Sequence, residues 1–213
     1  MMNPPPAPES GPHAGVTRPN CVVVVLAGGA GSRFEGQGHK LAASLRQSGD
    51  GNTSSVIERA LASAIAADVG PVVVITGAAY DIVPIHLADS VIVRHNERWD
   101  EGQITSLRSG IAAARSLGAT TVVVGLADQP FIEPEAWKAV AEAEGPIAVA
   151  TYDGRRANPV KLDAEVWDLL PTAGDEGARS LMRLRPDLVR EVTCTGSPAD
   201  IDTTEDLRRW QSN

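Results

Sequence analysis

The residues best suited to chemistry follow an apolar run near the start of the chain. Leu26-Ala27-Gly28-Gly29-Ala30-Gly31-Ser32-Arg33-Phe34 is followed by Gly36, Gly38 and Lys40. Glycines admit positive φ and let a backbone come close to a ligand. Successive amides in such a turn make a cradle for an anion. Arg33 and Lys40 add fixed positive charge to a segment whose only acid is Glu35. Together these residues describe a polyphosphate site. Two common phosphate loops do not fit it. The P-loop needs lysine after its last glycine, and Gln37 stands there; the dinucleotide turn needs a third glycine where Phe34 stands.

A carboxylate complements the loop. Asp128, in Leu126-Ala-Asp-Gln-Pro130, ends a second apolar run. Phe131 and Ile132 separate it from Pro134, so it is poorly placed to cap a helix starting there. A carboxylate beside a phosphate cradle is unfavourable without a cation between them, and Mg²⁺ is held by carboxylates together with substrate phosphates. Asp128 is therefore the expected Mg²⁺ ligand. The chain has no G-x-S-x-G elbow and no H-E-x-x-H or H-x-E spacing, so hydrolase and zinc chemistry find no support.

Strands and helices must position these groups. The runs 21–27, 71–76, 90–94, 120–126 and 147–151 are rich in β-branched residues and read as strands covered on both faces. Helical spacing marks 54–67, a short helix over 79–87, 104–117, a helix opening at Pro134, and a last one over 203–210. The polar stretch 47–55 reads as a mobile surface loop, and 158–193 holds shorter, less regular pieces. Alternating strands and helices predict an α/β fold: a three-layer α/β/α sandwich with a mainly parallel, Rossmann-like sheet. Its ligands are then expected beyond the carboxyl ends of the strands.

Composition narrows the partners. The chain of 213 residues suits one domain. The expectation is a disordered leader over 1–20, rich in proline, and a domain over 21–213. A net charge of −8 and 4% aromatics argue against a nucleic-acid partner. Lys40, Lys138 and Lys161 are the only lysines. Cys21 and Cys194 are too few for a disulfide framework or a four-cysteine zinc site. No apolar run is long enough to cross a membrane and no signal-peptide pattern opens the chain, so the expected location is the cytoplasm.

The loop LAGGAGSRF…K resembles the signature of nucleotidyltransferases with a glycosyltransferase-A-like fold. In that resemblance Leu26, Ala27, Gly28, Gly29, Gly31, Ser32, Arg33 and Lys40 bind the nucleotide. Arg33, Lys40 and Asp128 then carry catalysis, Arg33 and Lys40 by stabilising phosphate charge and Asp128 by holding Mg²⁺. The spacer between Phe34 and Lys40 is two residues longer than usual, which implies a longer loop or a shifted lysine. The segment 199–207 resembles the pattern D-[IV]-D-T-P-E-D-L, whose matching residue, Asp202, completes the Mg²⁺ site with Asp128; Asp200, Glu205 and Asp206 are left to serve the last helix. Residues 95–110 resemble a segment distinctive of the molybdenum cofactor cytidylyltransferases, matching at Asn96, Gly102, Ser106 and Leu107. Ser106 then lies near the nucleotide. Asn96, Gly102, Arg156, Asn158, Asp175 and Arg179 face the acceptor's anionic groups. The resemblance implies transfer of a nucleotide from CTP to a phosphorylated acceptor such as molybdopterin, with delivery onward to a molybdoenzyme or its chaperone. GTP is the alternative donor, because the first loop reads LAGG where the cytidylyltransferases read LAAG. A sugar-phosphate acceptor, and a homologue that binds a nucleotide without turnover, are the other readings.

Overall fold

A computed structural model of the protein describes residues 21–46 and 53–211. The expected leader lies outside the described residues. The elements in chain order are β1 (Cys21–Ala27), β2 (Ser44–Arg46), β3 (Thr53–Ser55), α1 (Val56–Ala66), β4 (Val72–Thr76), β5 (Ile92–His95), α2 (Gln103–Ser116), β6 (Thr121–Leu126), α3 (Pro134–Glu142), β7 (Ile147–Tyr152), β8 (Arg155–Asp163), α4 (Ala164–Trp167), α5 (Arg179–Leu184), β9 (Val189–Thr193) and α6 (Thr204–Gln211). Seven strands form one sheet in the order β5-β4-β1-β6-β8-β7-β9. β1 pairs parallel with both β4 and β6, and only β8 runs against its neighbours.

Strand periodicity explains the three layers. Along β1, Cys21, Val23, Val25 and Ala27 face a core shared with α1 and α3, including Ile57, Leu61 and Trp137. Val22, Val24 and Leu26 face the opposite core, shared with α2, α4 and α5 through Leu107, Trp167 and Leu181. A strand buried on both faces needs no polar alternation, so β1 reads as one continuous apolar run. The site-bearing loops follow β1 and β6, adjacent strands whose ends are in register at Leu26 and Leu126.

Three local expectations are corrected. The helix expected over 79–87 is a set of bends with one 3-10 turn at Ile85–Leu87. Pro84 would break such a helix; the irregular chain instead sets Ile82, Val83 and Leu87 against the core and leaves Tyr80 and Ile85 exposed. The polar stretch 47–55 is not wholly loop: its last three residues are β3, antiparallel to β2. Ser55 then caps α1 in a reciprocal box with Glu58. Residues 47–52 lie outside the described residues. Finally, the short, less regular pieces expected from 158 begin instead inside a nine-residue strand, because β7 turns back directly into β8 through Asp153 and Gly154, at φ 48° and 75°. That is the backbone of a tight type I′ hairpin, for which Asp-Gly is a favoured pair.

Gly125 shows how closely the layers approach. A Cβ there would lie 2.2 Å from the Trp137 ring, which rests on the β6 backbone. Gly125→Ala is expected to lower unfolding stability by about 1–3 kcal/mol, as overpacking does, measured by urea denaturation.

Candidate active site

Asp128 lies two residues beyond β6, and Asp202 lies in the segment that leads into α6. The two come together because that segment crosses the end of β6. The Ile201 amide donates to the Asp128 carbonyl at 2.9 Å, and the Ile201 side chain is fully buried. Thr203 and Asp206 then exchange hydrogen bonds as a capping pair for α6, at 3.1 and 2.9 Å.

Lys40 joins the carboxylates. Its ammonium donates to Asp128 Oδ2 at 2.7 Å and to Asp202 Oδ1 at 2.6 Å. Arg33 Nη2 lies 2.9 Å from the other Asp202 oxygen, with its side chain 75% exposed. Burial pulls the Lys40 pKa down, but the attraction and hydrogen bonds of Asp128 and Asp202 outweigh it and hold the ammonium above the usual lysine range. Lys40 and Arg33, expected on phosphate, are thus both seated on carboxylate. Asp128 Oδ1 is buried and has no hydrogen-bond partner, so it is an acceptor in reserve. No group of three or more His, Cys, Asp or Glu able to hold a metal exists among the described residues; the carboxylate pair is the acidic cluster available.

His39 shapes the loop. Its Nδ1 accepts from the Leu41 amide at 3.3 Å, so Nε2 carries the proton and donates to the Gly29 carbonyl at 3.0 Å. The imidazole thereby caps the turn Lys40–Ala42 and ties the far end of the long spacer back to the glycines. Gly31, at φ 65°, lies against both His39 and Lys40. Ser32 shares its exposed turn, whereas Ala27 is buried at the end of β1.

Two adjoining cavities open beside these groups. The first, of about 330 Å³, is lined by Gly28, Gly29, Ser106, Gly102, Asp128 and Asp175, with Leu26 and Trp99. The second, of about 300 Å³, has a floor of Leu107, Val124, Val149, Val160 and Met182 and a rim bearing Arg156, Asn158, Arg179 and Arg183. Leu26, Gln103 and Leu126 line both. Of the residues expected at the acceptor, Arg156, Asn158 and Arg179 share the second cavity, while Gly102 and Asp175 line the first. Asn96 lines neither. It is buried and donates to Thr105 Oγ1 at 2.9 Å and Ser106 Oγ at 3.0 Å, so it orients the Ser106 hydroxyl instead. That hydroxyl reaches Gly28, where a Cβ would lie 2.9 Å from Ser106 Oγ.

Residues 23–192 match the MobA-like NTP transferase domain. The chain belongs to that family. Among curated relatives, purine catabolism protein PucB of Bacillus subtilis (strain 168) is 35% identical over 112 residues, which is 50% of this chain and 55% of PucB. The chain thus spans about half the length of that relative. Nicotine blue oxidoreductase of Paenarthrobacter nicotinovorans is 30% identical, over 89% of this chain and 96% of its own. Rv0371c of Mycobacterium tuberculosis H37Rv is similar in structure, with a TM-score of 0.78 and 27% identity over 92% of this chain and 100% of that one. A structure of Rv0371c in complex with manganese superposes at a TM-score of 0.71, with 26% identity over 91% and 98% of the two chains. The fold of this MobA-like chain is therefore that of the nucleotidyltransferases, as the glycine loop implied. No described helix is long and apolar enough to cross a membrane.

Three further residues join this site without a local sequence signal for their roles: His39, next to Lys40, which ties the loop back to Gly29; Trp99, which lines the first cavity; and Gln129, next to Asp128. Asp200 was assigned to the last helix but instead accepts from Gln129 Nε2 at 2.6 Å. Burial raises its pKa, with Asp128 and Asp202 adding to the rise and the Gln129 hydrogen bond opposing it. Asn96→Ala is expected to lose about 1–3 kcal/mol of stability by taking the partner from the buried Ser106 hydroxyl and from the Arg98 amide, read by urea denaturation.

Proposed function

We propose that this protein transfers a nucleotide from an NTP to a phosphate-bearing small molecule and releases pyrophosphate. The observation that carries the reading is the cluster that meets at Asp128, in the wall of the glycine-loop cavity. There Lys40 and Arg33 meet Asp128 and Asp202. In the reaction an acceptor phosphate oxygen attacks the α-phosphorus in line. The bond from that phosphorus to the bridging oxygen breaks, and its electrons leave with pyrophosphate. Lys40 and Arg33 stabilise the charge that develops on the phosphate oxygens, and the loop amides orient the chain of phosphates. Such catalysis is positioning and electrostatics and needs no protein nucleophile.

Asp128 and Asp202 are the residues that would hold Mg²⁺. The fit rests on hard oxygen donors and on the unpartnered, buried Oδ1 of Asp128. A bound divalent cation would neutralise phosphate charge between the carboxylates and the nucleotide. The manganese complex of Rv0371c supports a divalent cation at such a fold.

CTP is the proposed donor, on the strength of the segment around Ser106. One observation favours GTP instead. An alanine at position 28, as in the LAAG loop, would bring its Cβ within 2.9 Å of Ser106 Oγ, so this cavity is shaped around glycine. The second cavity is the proposed acceptor site, with Arg156 and Arg179 facing the acceptor's anionic groups. Its apolar floor suits a molybdopterin-like heterocycle better than a hydroxyl-rich sugar, and delivery to a molybdoenzyme or its chaperone would follow. The names of the curated relatives differ from one another, so they do not decide the acceptor.

Pyrophosphate release should be assayed with each of the four NTPs, Mg²⁺ and candidate acceptors. CTP or GTP is expected to support turnover, and Asp128→Asn is expected to cut the rate about 100-fold or more. The productive nucleotide should also protect the fold, by about 2.7 kcal/mol at a hundredfold excess over its Kd. Full activity in Asp128→Asn overturns the assignment of that carboxylate. Nucleotide protection without turnover in any mixture favours a binding protein.

A further inference from the structure

Gln129 is buried immediately beside Asp128, and every polar atom of its side chain is engaged. Its Nε2 donates to the Pro198 carbonyl at 3.0 Å and to Asp200 Oδ1 at 2.6 Å. Its Oε1 accepts from Asn158 Nδ2 at 2.9 Å. The orientation of the amide is forced. A carbonyl and a carboxylate can only accept, so the nitrogen must face them, and the oxygen is left for Asn158. Only a neutral amide carries two donors and an acceptor on one planar group of this size. Methionine would fill the same space and orphan three groups; glutamate would set a carboxylate against Asp200.

These bonds join three parts of the molecule. Gln129 follows β6, Pro198 and Asp200 belong to the segment that carries Asp202, and Asn158 lies on β8 in the wall of the apolar cavity. Besides the ion pairs of Asp202 with Lys40 and Arg33, the segment is held at two backbone points. One is the bridge of Gly196 to Ile132, and the other is the bond from the Ile201 amide to the Asp128 carbonyl. The Gln129 amide lies between them in sequence and grips the segment by both backbone and side chain.

We propose that Gln129 is a positioning residue that clamps the segment 198–202 to the end of β6, sets Asp202 opposite Asp128, and ties both to the cavity wall through Asn158. The inference rests on the nucleotidyl-transfer reading only for its kinetic consequence. Its structural consequence stands apart from it. Loss of the clamp frees the segment locally, so the Ile201 amide exchanges faster while β1 and β6 keep their protection. In turnover the loss falls on kcat, because the Asp202 position matters to the transition state more than to nucleotide binding.

The test uses the full chain and two variants, Gln129→Glu and the double variant Gln129→Glu with Asp200→Asn. In the double variant an asparagine amide can donate to the new carboxylate, which still accepts from Asn158. Hydrogen exchange is followed by mass spectrometry on peptides covering 198–202, β1 and β6, and kcat and KM are measured with the productive NTP. For Gln129→Glu the expected results are exchange about 10-fold faster or more at 198–202 alone, and kcat lower by about 10-fold with KM within about threefold. The double variant is expected to recover part of both, since the Pro198 carbonyl still lacks its donor. Exchange at 198–202 unchanged in Gln129→Glu, exchange raised equally in all three regions, or no recovery in the double variant overturns the proposal. If Gln129→Glu does not fold, Gln129→Met takes its place with the same exchange pattern expected and the same results decisive against it. If the wild-type chain turns over no NTP while Gln129→Glu still shows the exchange pattern, the functional reading is overturned and the clamp stays supported.

Discussion

Two carboxylates that converge on one point must share a positive charge. Asp128 and Asp202 converge because the chain before α6 is laid across the end of β6, and the charge they share is the Lys40 ammonium. All three side chains are largely shielded from water, at 10%, 20% and 21% exposure for Lys40, Asp128 and Asp202. A buried ion group is tolerated only when its partners are in place, and removing one leaves an uncompensated charge. The glycine loop, the β6 end and the last segment are thus bound to one another electrostatically. The same three pieces are the ones a nucleotide with its cation would have to meet. In the proposed reaction Lys40 and Arg33 hold positive charge in store for the phosphates.

The rest of the fold can be understood as support for this junction. β1 and β6 lie side by side and in register, which sets the loops after them next to each other. Sheets of this kind place ligands beyond the strand ends, and both cavities open there. Close packing is used where it matters to the site. Asn96 spends its amide on Thr105 and Ser106 rather than on a ligand, and Gly28 makes room for the Ser106 hydroxyl. The acid-rich composition, with a net charge of −8, is consistent with positive charge kept local and sized for a small polyanion.

Much of this was legible in the sequence, for identifiable reasons. The β-branched runs disclosed the strands because a strand covered on both faces has little choice of residue. The glycine loop and Asp128 stood out because their residue types have few other uses after a buried strand. What was not legible depends on long-range geometry. The Lys40–Asp202 contact spans 162 residues, and no local pattern announces it. Asn96 looked like a ligand contact because a motif shows that a residue matters and not which way it points. The helix expected over 79–87 failed on Pro84. The β7–β8 hairpin did carry a local signal, Asp153-Gly154, which the strand alternation of the preceding units obscured. Gln129 needed both Asn158 and Asp200 in view before its role was visible.

If the Lys40 ammonium is the cation that Asp128 and Asp202 require, a divalent metal ion can supply it in its place. Thermal unfolding of Lys40→Met, with and without Mn²⁺, tests it most directly. In metal-free buffer the variant should melt below the wild type, and Mn²⁺ should restore much of the loss while moving the wild type little. A variant that melts with the wild type in metal-free buffer, or one that Mn²⁺ does not stabilise, would contradict it.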